Sequence, residues 1–169
     1  MVELVQLPPE VFHALAAGDL DAAEQVAPIR LTPYFAGPEW RSSWQRRSRQ
    51  VHEDAGVVGS IAHAIVDTAL HLAVGRAGFH GRPDNDGVVE IAYAVDPAYQ
   101  RRGYARAALE ILLERAAGDP SVRTVRATIR PDNVASRNLV IQYGFIAVGE
   151  QWDDEDGLEI VFERPAPPR

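Results

Sequence analysis

The chain has 169 residues, 46% of them hydrophobic, which is enough for one domain with a sizeable core but too short for two ordinary domains and a linker. Its formal net charge of −7 disfavours nucleic acid and anionic membranes as partners, because the field of the molecule repels polyanions. There is no cysteine and all 17 basic residues are arginine, which excludes disulfides, thiolate nucleophiles, cysteine metal sites, Schiff-base lysines and P-loops.

No stretch has the composition of a signal peptide or the apolar length of a membrane span, and this favours a cytoplasmic location. We expect a single domain over residues 1–164 and a frayed proline-rich tail over residues 165–169.

Four elements are predicted in the first sixty residues. Alternation over residues 2–7 predicts a strand, and the pair Pro8-Pro9 opens an amphipathic helix that ends near Gly18. Residues 19–26 predict a short second helix. After a stretch interrupted by proline and glycine, residues 39–51 predict an arginine-rich helix.

Residues 60–67 and 70–79 predict two strands, and the turn-rich loop 81–87 separates them from a third over residues 88–95. The third strand separates into two faces, with Val89, Ile91, Tyr93 and Val95 on one and Val88, Glu90, Ala92 and Ala94 on the other. Glu90 is the only charged residue in this strand.

Apolar spacing predicts a helix over residues 103–117, followed by a strand over 122–129 that pairs parallel with the preceding strand through a right-handed crossover. Residues 132–142 predict another helix. Strands over 145–151 and 158–163 form a hairpin around the acidic turn 153–157.

The turn from Gln100 to Arg106 has the features of an anion site. Unpaired N–H groups collect at a helix N-terminus, Gly103 permits a positive φ and a close approach, and the small Ala105 leaves the next amide uncovered. Arg101, Arg102 and Arg106 add positive charge. Taken alone, such arginines are as often simply solvated.

The run Gln100-Arg101-Arg102-Gly103-Tyr104-Ala105, after a strand and before a helix, resembles the Gln/Arg-x-x-Gly-x-Gly/Ala signature of the GNAT N-acetyltransferase superfamily. Asn133, Ser136 and Gly144-Phe145 fit its second element, an Asn-x-x-Ser/Ala helix ending in Gly-Phe. Strand 89–93 and the Asn-x-x-Ser pattern look most like the ribosomal-protein and amino-terminal (RimJ/RimL-like) branch. The resemblance is good from about residue 70 to 162 and loose over the first sixty residues.

The resemblance implies an α/β (α+β) fold whose mixed central sheet of about seven strands is splayed in the middle and flanked by helices. It also implies acetyl-CoA as acyl donor, with no metal, and direct acetyl transfer in a ternary complex to a primary amine. The residues it assigns to CoA are Ala94, Val95, Gln100, Arg101, Arg102, Gly103, Tyr104, Ala105, Arg106 and Asn133.

Glu90 is the candidate base, since it is the one carboxylate in an apolar strand and the family uses a glutamate on that strand; the alternative is an ion pair with Arg126. Many relatives have a tyrosine four residues before the glycine of Gly-Phe, where this chain has Val140. Ser136 and Asn133 are therefore the candidates for protonating the departing thiolate, although either may only cap the helix.

The candidates for the acceptor pocket are Trp40, Arg41 and Trp44 on the early helix and Trp152, Asp153 and Asp154 on the hairpin. Two tryptophans one turn apart are more often core, an acidic turn is more often only solvated, and the histidines are interpreted as structural.

A peptide or protein α-amino group is the favoured acceptor. With a pKa near ~7.7–8 it is partly neutral at pH 7 and tolerates a weak base, unlike a lysine side chain near ~10.4. The alternatives are a small-molecule acetyltransferase (antibiotic, polyamine or amino acid) and a non-catalytic acyl-CoA-binding module. We expect a monomer or homodimer.

Overall fold

The computed structural model describes residues 1–166, which form five α-helices, eight strands and four short 3-10 turns. In chain order the helices and strands are β1 (Val2–Gln6), α1 (Pro9–Ala16), α2 (Leu20–Val26), β2 (Arg30–Leu31), α3 (Arg41–Glu53), β3 (His63–Asp67), β4 (Leu72–Phe79), β5 (Val88–Val95), α4 (Tyr104–Gly118), β6 (Thr124–Ile129), α5 (Val134–Gln142), β7 (Ile146–Asp153) and β8 (Gly157–Pro165).

The strands form one mixed sheet in the order β1-β3-β4-β5-β6-β8-β7, with β2 paired to β4. The β5–β6 pair is parallel, as the crossover through α4 predicts, and its neighbours on both sides are antiparallel. The predicted α/β class and mixed sheet are confirmed. The strand β2 was not predicted, because its two residues, between Pro28 and Pro33, are too few to show a pattern.

The sheet opens between β5 and β6. The two strands pair only at Val88–Thr124, Val89–Val125 and Glu90–Arg126. The rest of β5, from Ile91 to Val95, pairs with β4 on one side and has no β6 partner on the other. The splay implied by the family resemblance is therefore present, and it exposes backbone hydrogen-bonding groups along one edge of β5.

Two apolar clusters cover the two faces of the sheet. On one face α4 packs its apolar stripe, including Leu109 and Leu112, against Val89 and Ile91 of β5, each of which is 3% exposed. On the other face α1 and α3 pack on β3 and β4 around Phe12 and Trp44. Each such buried side chain contributes about 1.5–3 kcal/mol, and together they fix β5 with Glu90 facing away from α4.

Residues 165 and 166, which the sequence placed in a tail, lie on the sheet. Pro165 belongs to β8 and pairs with Thr124, and the N–H of Ala166 donates to the carbonyl of Arg123 at 2.8 Å. The predicted frayed tail is therefore wrong for Pro165 and Ala166, and its remaining residues, 167–169, lie outside the described part of the chain. No helix within residues 1–166 has both the length and the apolar character needed to cross a membrane.

Candidate active site

Two cavities adjoin the opening between β5 and β6. The larger, of about 580 Å³, extends over the turn between β5 and α4 and along α5. The smaller, of about 370 Å³, lies between α3, β5, β6 and the β7–β8 turn. They share the wall residues Trp40, Tyr93, Ala94, Asn133 and Ser136. After the roles that the family resemblance implies, we refer to them as the donor cavity and the acceptor cavity.

The turn at the start of α4 presents its amides to the donor cavity. Arg101 and Gly103 both have positive φ, 63° and 86°, so successive N–H groups curve around one point, as in anion-binding nests. Ala107 is the first helical residue whose N–H bonds back, to Gly103 at 3.0 Å, which leaves the amides of Tyr104, Ala105 and Arg106 without intrahelical acceptors. No atom lies within 4 Å of a Cβ placed on Gly103, so the space in front of the turn is open.

The side chains of this turn differ in what they reach. Gln100 Nε2 donates to the carbonyl of Val95 at 3.0 Å, and this hydrogen bond connects the turn to the end of β5. Arg101 lines the donor cavity, and so does Arg106, which is held by Gln142 Oε1 at 2.6 Å. Arg102 does not line the cavity: its guanidinium lies over the ring of Tyr99 and donates to the carbonyl of Ala98.

The open edge of β5 continues the same wall. Ala94 and Val95 line the donor cavity, and their small or branched side chains leave the main chain accessible. Tyr104 also lines this cavity, and its hydroxyl donates to Asp67 Oδ2 at 2.5 Å. An open amide nest followed by an unpaired strand edge matches a ligand with a phosphorylated head and an extended amide-bearing arm, so these residues fit CoA.

Tyr93 and Ser136 meet where the two cavities join. The Tyr93 hydroxyl is buried and makes no hydrogen bond of normal geometry within residues 1–166. Burial raises the pKa of Tyr93, and the nearby Ser136 hydroxyl only moderates that rise. Asn133 caps α5 by accepting the Ser136 N–H at 3.3 Å. From the sequence, Tyr93 was assigned to the apolar face of the strand. The only indication of a functional role was that Tyr93 carries the single hydroxyl in that strand.

Glu90 does not itself line either of the two cavities, but it contacts residues that line the acceptor cavity. Its Oε1 accepts a hydrogen bond from Thr128 at 2.5 Å, and its Oε2 lies 3.6 Å from Nδ1 of His80. The alternative ion pair with Arg126 is absent from the described contacts, because Arg126 binds Glu163 at 3.0 Å instead. Thr128 and His80 line the acceptor cavity, so they connect the carboxylate to it.

His80 was interpreted as structural, yet it lines the acceptor cavity beside Glu90. Burial lowers the pKa of its imidazole, which the Glu90 charge partly opposes and the nearby arginines reinforce. A neutral imidazole at pH 7 is therefore expected, and such a ring accepts a proton. The feature of the sequence that could have indicated this role is the position of His80 at the end of β4, next to the strand that carries Glu90.

Of the three acceptor residues predicted on the early helix, only Trp40 lines a cavity, and it lies in the 3-10 turn before α3. Trp40 lines both cavities. Trp44 is 0% exposed, stacks on Phe12 and donates to the carbonyl of Phe35 at 2.8 Å, so it belongs to the core. Arg41 lines neither cavity, and its guanidinium lies against Gly18.

On the hairpin, the acidic turn borders the acceptor cavity through other residues than those predicted. Trp152 is 73% exposed, and Asp153 accepts the N–H groups of Glu155 and Asp156 within its own turn. Neither these two residues nor Asp154 lines a cavity, whereas Glu155 and Asp156 do.

Glu159 of β8 also lines the acceptor cavity and was missed from sequence. It is buried, receives a hydrogen bond from Gln151 at 3.2 Å, and burial raises the pKa of its carboxyl. Val140, at the position where relatives of the resembled family have a tyrosine, is fully buried. Tyr143 bonds to Arg106 and Glu110 and lines neither cavity.

Comparison with protein families gives a match to one family. The model of the acetyltransferase (GNAT) domain matches residues 10–146. An uncharacterized N-acetyltransferase, YjdG of Bacillus subtilis (strain 168), is 32% identical over 91 residues, 54% of this chain and 54% of that protein. An L-2,4-diaminobutyric acid acetyltransferase of Streptomyces anulatus is 40% identical over 63 residues, 37% of this chain and 36% of that protein. The alignments thus span about half and about a third of these relatives.

Among solved structures, RimL, a ribosomal-protein α-N-acetyltransferase in complex with coenzyme A, superposes with a TM-score of 0.65. It is 18% identical, and the alignment covers 97% of this chain and 93% of that one. At that identity the likeness concerns the fold.

Proposed function

This chain belongs to the acetyltransferase (GNAT) family, and we propose that it transfers an acetyl group from acetyl-CoA to a primary amine by direct transfer in a ternary complex. The observation that carries the proposal is that the two cavities adjoin at the open edge of β5, where Tyr93 and Ala94 line both of them. A donor bound in one cavity and an amine bound in the other would meet at Tyr93 and Ala94.

For the donor, the proposed pyrophosphate site is the amide nest of Arg101 to Arg106, with the side chains of Arg101 and Arg106 adding charge. The proposed contact for the pantetheine arm is the edge of β5 at Ala94 and Val95, with Asn133 opposite. Acetyl-CoA supplies the activated acyl group as a thioester.

For proton removal from the amine, we retain Glu90 as the candidate base. Its carboxylate is separated from the cavity by Thr128 and His80, so a proton would reach it through the His80 ring or a water molecule. The lowered pKa of His80 supports this route, because the ring is neutral at pH 7 and free to accept.

For the thiolate that departs, Tyr93 joins Ser136 as a candidate acid. Its hydroxyl lies at the junction of the cavities, has no partner among residues 1–166, and stays protonated because burial raises its pKa. Asn133 is better suited to holding the first turn of α5, where it caps the helix.

The acceptor class remains a proposal with two candidates. The fold of RimL, a ribosomal-protein α-N-acetyltransferase, favours a peptide or protein α-amino group. The similarity to an L-2,4-diaminobutyric acid acetyltransferase and the small volume of the acceptor cavity, about 370 Å³, favour a free amino acid. A cytoplasmic enzyme, monomeric or homodimeric, is compatible with either.

The test is release of CoA thiol from acetyl-CoA with three groups of acceptors: peptides with different first residues, diamino acids, and polyamines. We expect at least one group to accelerate release well above hydrolysis, and mass spectrometry to show one added acetyl group on nitrogen. Binding of acetyl-CoA with no transfer to any amine would instead favour a non-catalytic acyl-CoA-binding module.

A further inference from the structure

One arginine of the acceptor cavity has no polar partner. Arg76 of β4 lines this cavity, and its guanidinium makes no hydrogen bond or ion pair with any residue from 1 to 166. Its Nε is inaccessible to solvent. A guanidinium carries five donors, of which Nε is enclosed here without an acceptor while the group as a whole borders the cavity, so an anionic or hydrogen-bonding occupant of the cavity would complement it.

The surroundings of Arg76 hold it in place without neutralising it. Its guanidinium carbon lies 4.2 Å from the ring centroid of Trp40 and 5.6 Å from that of Trp44. Burial, opposed in part by Tyr34 and reinforced by the neighbouring Arg46, lowers the pKa of Arg76 to about 10, so the group stays charged at pH 7. Tyr34, whose pKa burial raises to about 12, is neutral and offers no countercharge.

Positive charge is concentrated on this side of the cavity. Arg47 of α3 is buried, and its guanidinium contacts the Gln50 amide oxygen at 2.7 Å and the carbonyl of His80 at 3.0 Å, with no carboxylate among its described partners. Arg46, by contrast, is paired with Glu155. Two guanidinium groups, those of Arg47 and Arg76, therefore face the cavity without a carboxylate.

Negative charge in the acceptor cavity comes from the hairpin, whose Glu155 meets α3 at the ion pair with Arg46. Glu155, Asp156 and Glu159 line the cavity from the β7–β8 hairpin, and Glu90 lies behind Thr128 on the β5–β6 side. The acceptor cavity is therefore bipolar, with cations at α3 and β4 and acids at the hairpin. A molecule that carries an amine and an anion a few bonds apart complements this arrangement, whereas a simple polyamine leaves the arginines unpaired.

We propose that the acceptor amine carries a carboxylate, and that Arg76 binds this carboxylate in the acceptor cavity while the amine points toward the splay between β5 and β6. The proposal rests on the proposed acetyl transfer. It assigns Arg76 to acceptor specificity. The planar fork of the guanidinium matches the two oxygens of a carboxylate, and Arg47 adds to the local positive potential. The carboxylate belongs either to a free amino acid or to an acidic residue of a peptide.

The experiment compares acceptors that differ only in this charge. One arm uses L-2,4-diaminobutyrate, L-ornithine and L-lysine against their α-carboxamides. The other uses the peptide amides Ser-Asp and Ala-Glu against Ser-Asn and Ala-Gln. In the wild-type protein we expect kcat/KM to be about 10–100-fold higher for the carboxylate member of each pair in one arm, and the arm that responds identifies the source.

The variants are Arg76→Met, Arg76→Lys and, as a matched control, Arg82→Met, which removes an exposed arginine paired with Asp54 outside both cavities. We expect Arg76→Met to abolish the carboxylate preference through the KM of the acceptor, with the Kd of acetyl-CoA unchanged. Arg76→Lys should keep part of the preference, and Arg82→Met all of it. Equal kcat/KM for both members in the wild type, or weakened acetyl-CoA binding in Arg76→Met, would overturn the proposal.

Two further measurements keep the outcome decisive. If no amine is acetylated, the proposed function fails, and binding of the same acceptor pairs to the CoA-loaded protein is then measured by calorimetry. Selective binding of the carboxylate members that is lost in Arg76→Met supports the subsite. Absence of such selectivity in the wild type overturns it. Thermal unfolding of the protein alone separates binding from structure. Since Arg76→Met removes an unpaired charge, we expect a Tm no lower than that of the wild type. A lower Tm with unchanged selectivity would overturn the proposal.

Discussion

The carboxylate of Glu90 is contacted by two neighbouring side chains. Thr128 donates to one oxygen, and the other faces His80, while Arg126, its partner across the parallel strands, is bound to Glu163. Such a carboxylate is tethered without being neutralised by an arginine. This geometry suits a proton acceptor that works through His80 or water, and it distinguishes Glu90 from Glu163 on the same face of the sheet.

Replacing Glu90 with Gln should lower kcat by about 10²–10⁴-fold, because the amide still accepts from Thr128 but no longer takes up a proton. The matched control is Glu163→Gln, which removes a carboxylate outside both cavities. Steady-state kinetics and the Kd of acetyl-CoA provide the measurement. Unchanged turnover of Glu90→Gln across the pH range would remove Glu90 from the mechanism.

At Tyr93 the expected effect is on the departing thiolate. Tyr93→Phe deletes one buried, unpartnered hydroxyl, so the fold should tolerate it and kcat should fall by about 10²-fold or more with little change in acetyl-CoA affinity. Tyr143→Phe, which removes a hydroxyl outside both cavities, is the control for kcat only, because that hydroxyl accepts from Arg106 of the proposed pyrophosphate site. Equal kcat values for Tyr93→Phe and the wild type would leave Ser136 as the acid.

His63 gives a prediction about stability rather than catalysis. Arg115 donates to its Nε2 at 3.2 Å, so the ring is neutral with hydrogen on Nδ1, and burial, followed by the Arg115 charge, lowers the pKa of His63 to about 4. The unfolded chain, with a pKa near ~6.5, binds the proton first. Stability is therefore complete above pH 6.5 and falls as the pH drops toward 4, by up to about 3 kcal/mol.

Denaturant titrations at several pH values check this. His63→Gln keeps an acceptor for Arg115 but does not titrate, so the free energy of unfolding should fall less steeply below pH 6.5. His52→Gln, an exposed histidine, should retain the steep fall. Parallel pH profiles for the wild type and His63→Gln would contradict the assignment.

At the scale of elements, the junction of β5 and α4 determines the donor site. The strand ends at Val95, Gln100 ties the turn back to it, and the positive φ of Gly103 lets the first amides of α4 face outward. A side chain at Gly103 would be strained by its backbone conformation and would stand in front of these amides, although no protein atom blocks it.

Gly103→Ala should therefore weaken acetyl-CoA binding by about 10-fold or more, while the left-handed backbone costs about 1–2 kcal/mol of stability. Gly118→Ala at the other end of α4 is the matched control, since its Cβ also meets no atom within 4 Å and Gly118 does not have a positive φ. Calorimetry and thermal unfolding measure the two effects. An unchanged Kd in Gly103→Ala would move the pyrophosphate elsewhere.

The elements themselves followed from sequence because their patterns are local. The alternation of β5, the turn formers of the 81–87 loop and the spacing of α4 each depend on a few neighbouring residues, and the structure confirms these elements. The two-residue β2 was not predictable from such a pattern. Neither was the exposure of β7, where Ile146 is 66% exposed, because it follows from the position of β7 at the sheet edge.

At the scale of the whole molecule, the site is assembled from segments far apart in sequence, and this limits prediction. The motif at Gly103 is local, whereas Arg76 and His80 of the acceptor cavity depend on how α3 and the hairpin cross the sheet. Trp40 and Trp44 are four residues apart, but Trp40 belongs to a 3-10 turn before α3 and Trp44 to α3 itself. Helical spacing therefore did not predict that only Trp40 lines the cavities.

The central claim is that the open turn and the edge of β5 form one site for acetyl-CoA. Isothermal titration of the protein with acetyl-CoA tests it most directly. We predict one molecule bound per chain, in the micromolar to submillimolar range, with affinity that falls as salt is added because the nest and its arginines hold a polyanion. Absence of any binding heat up to about 1 mM acetyl-CoA would contradict the claim.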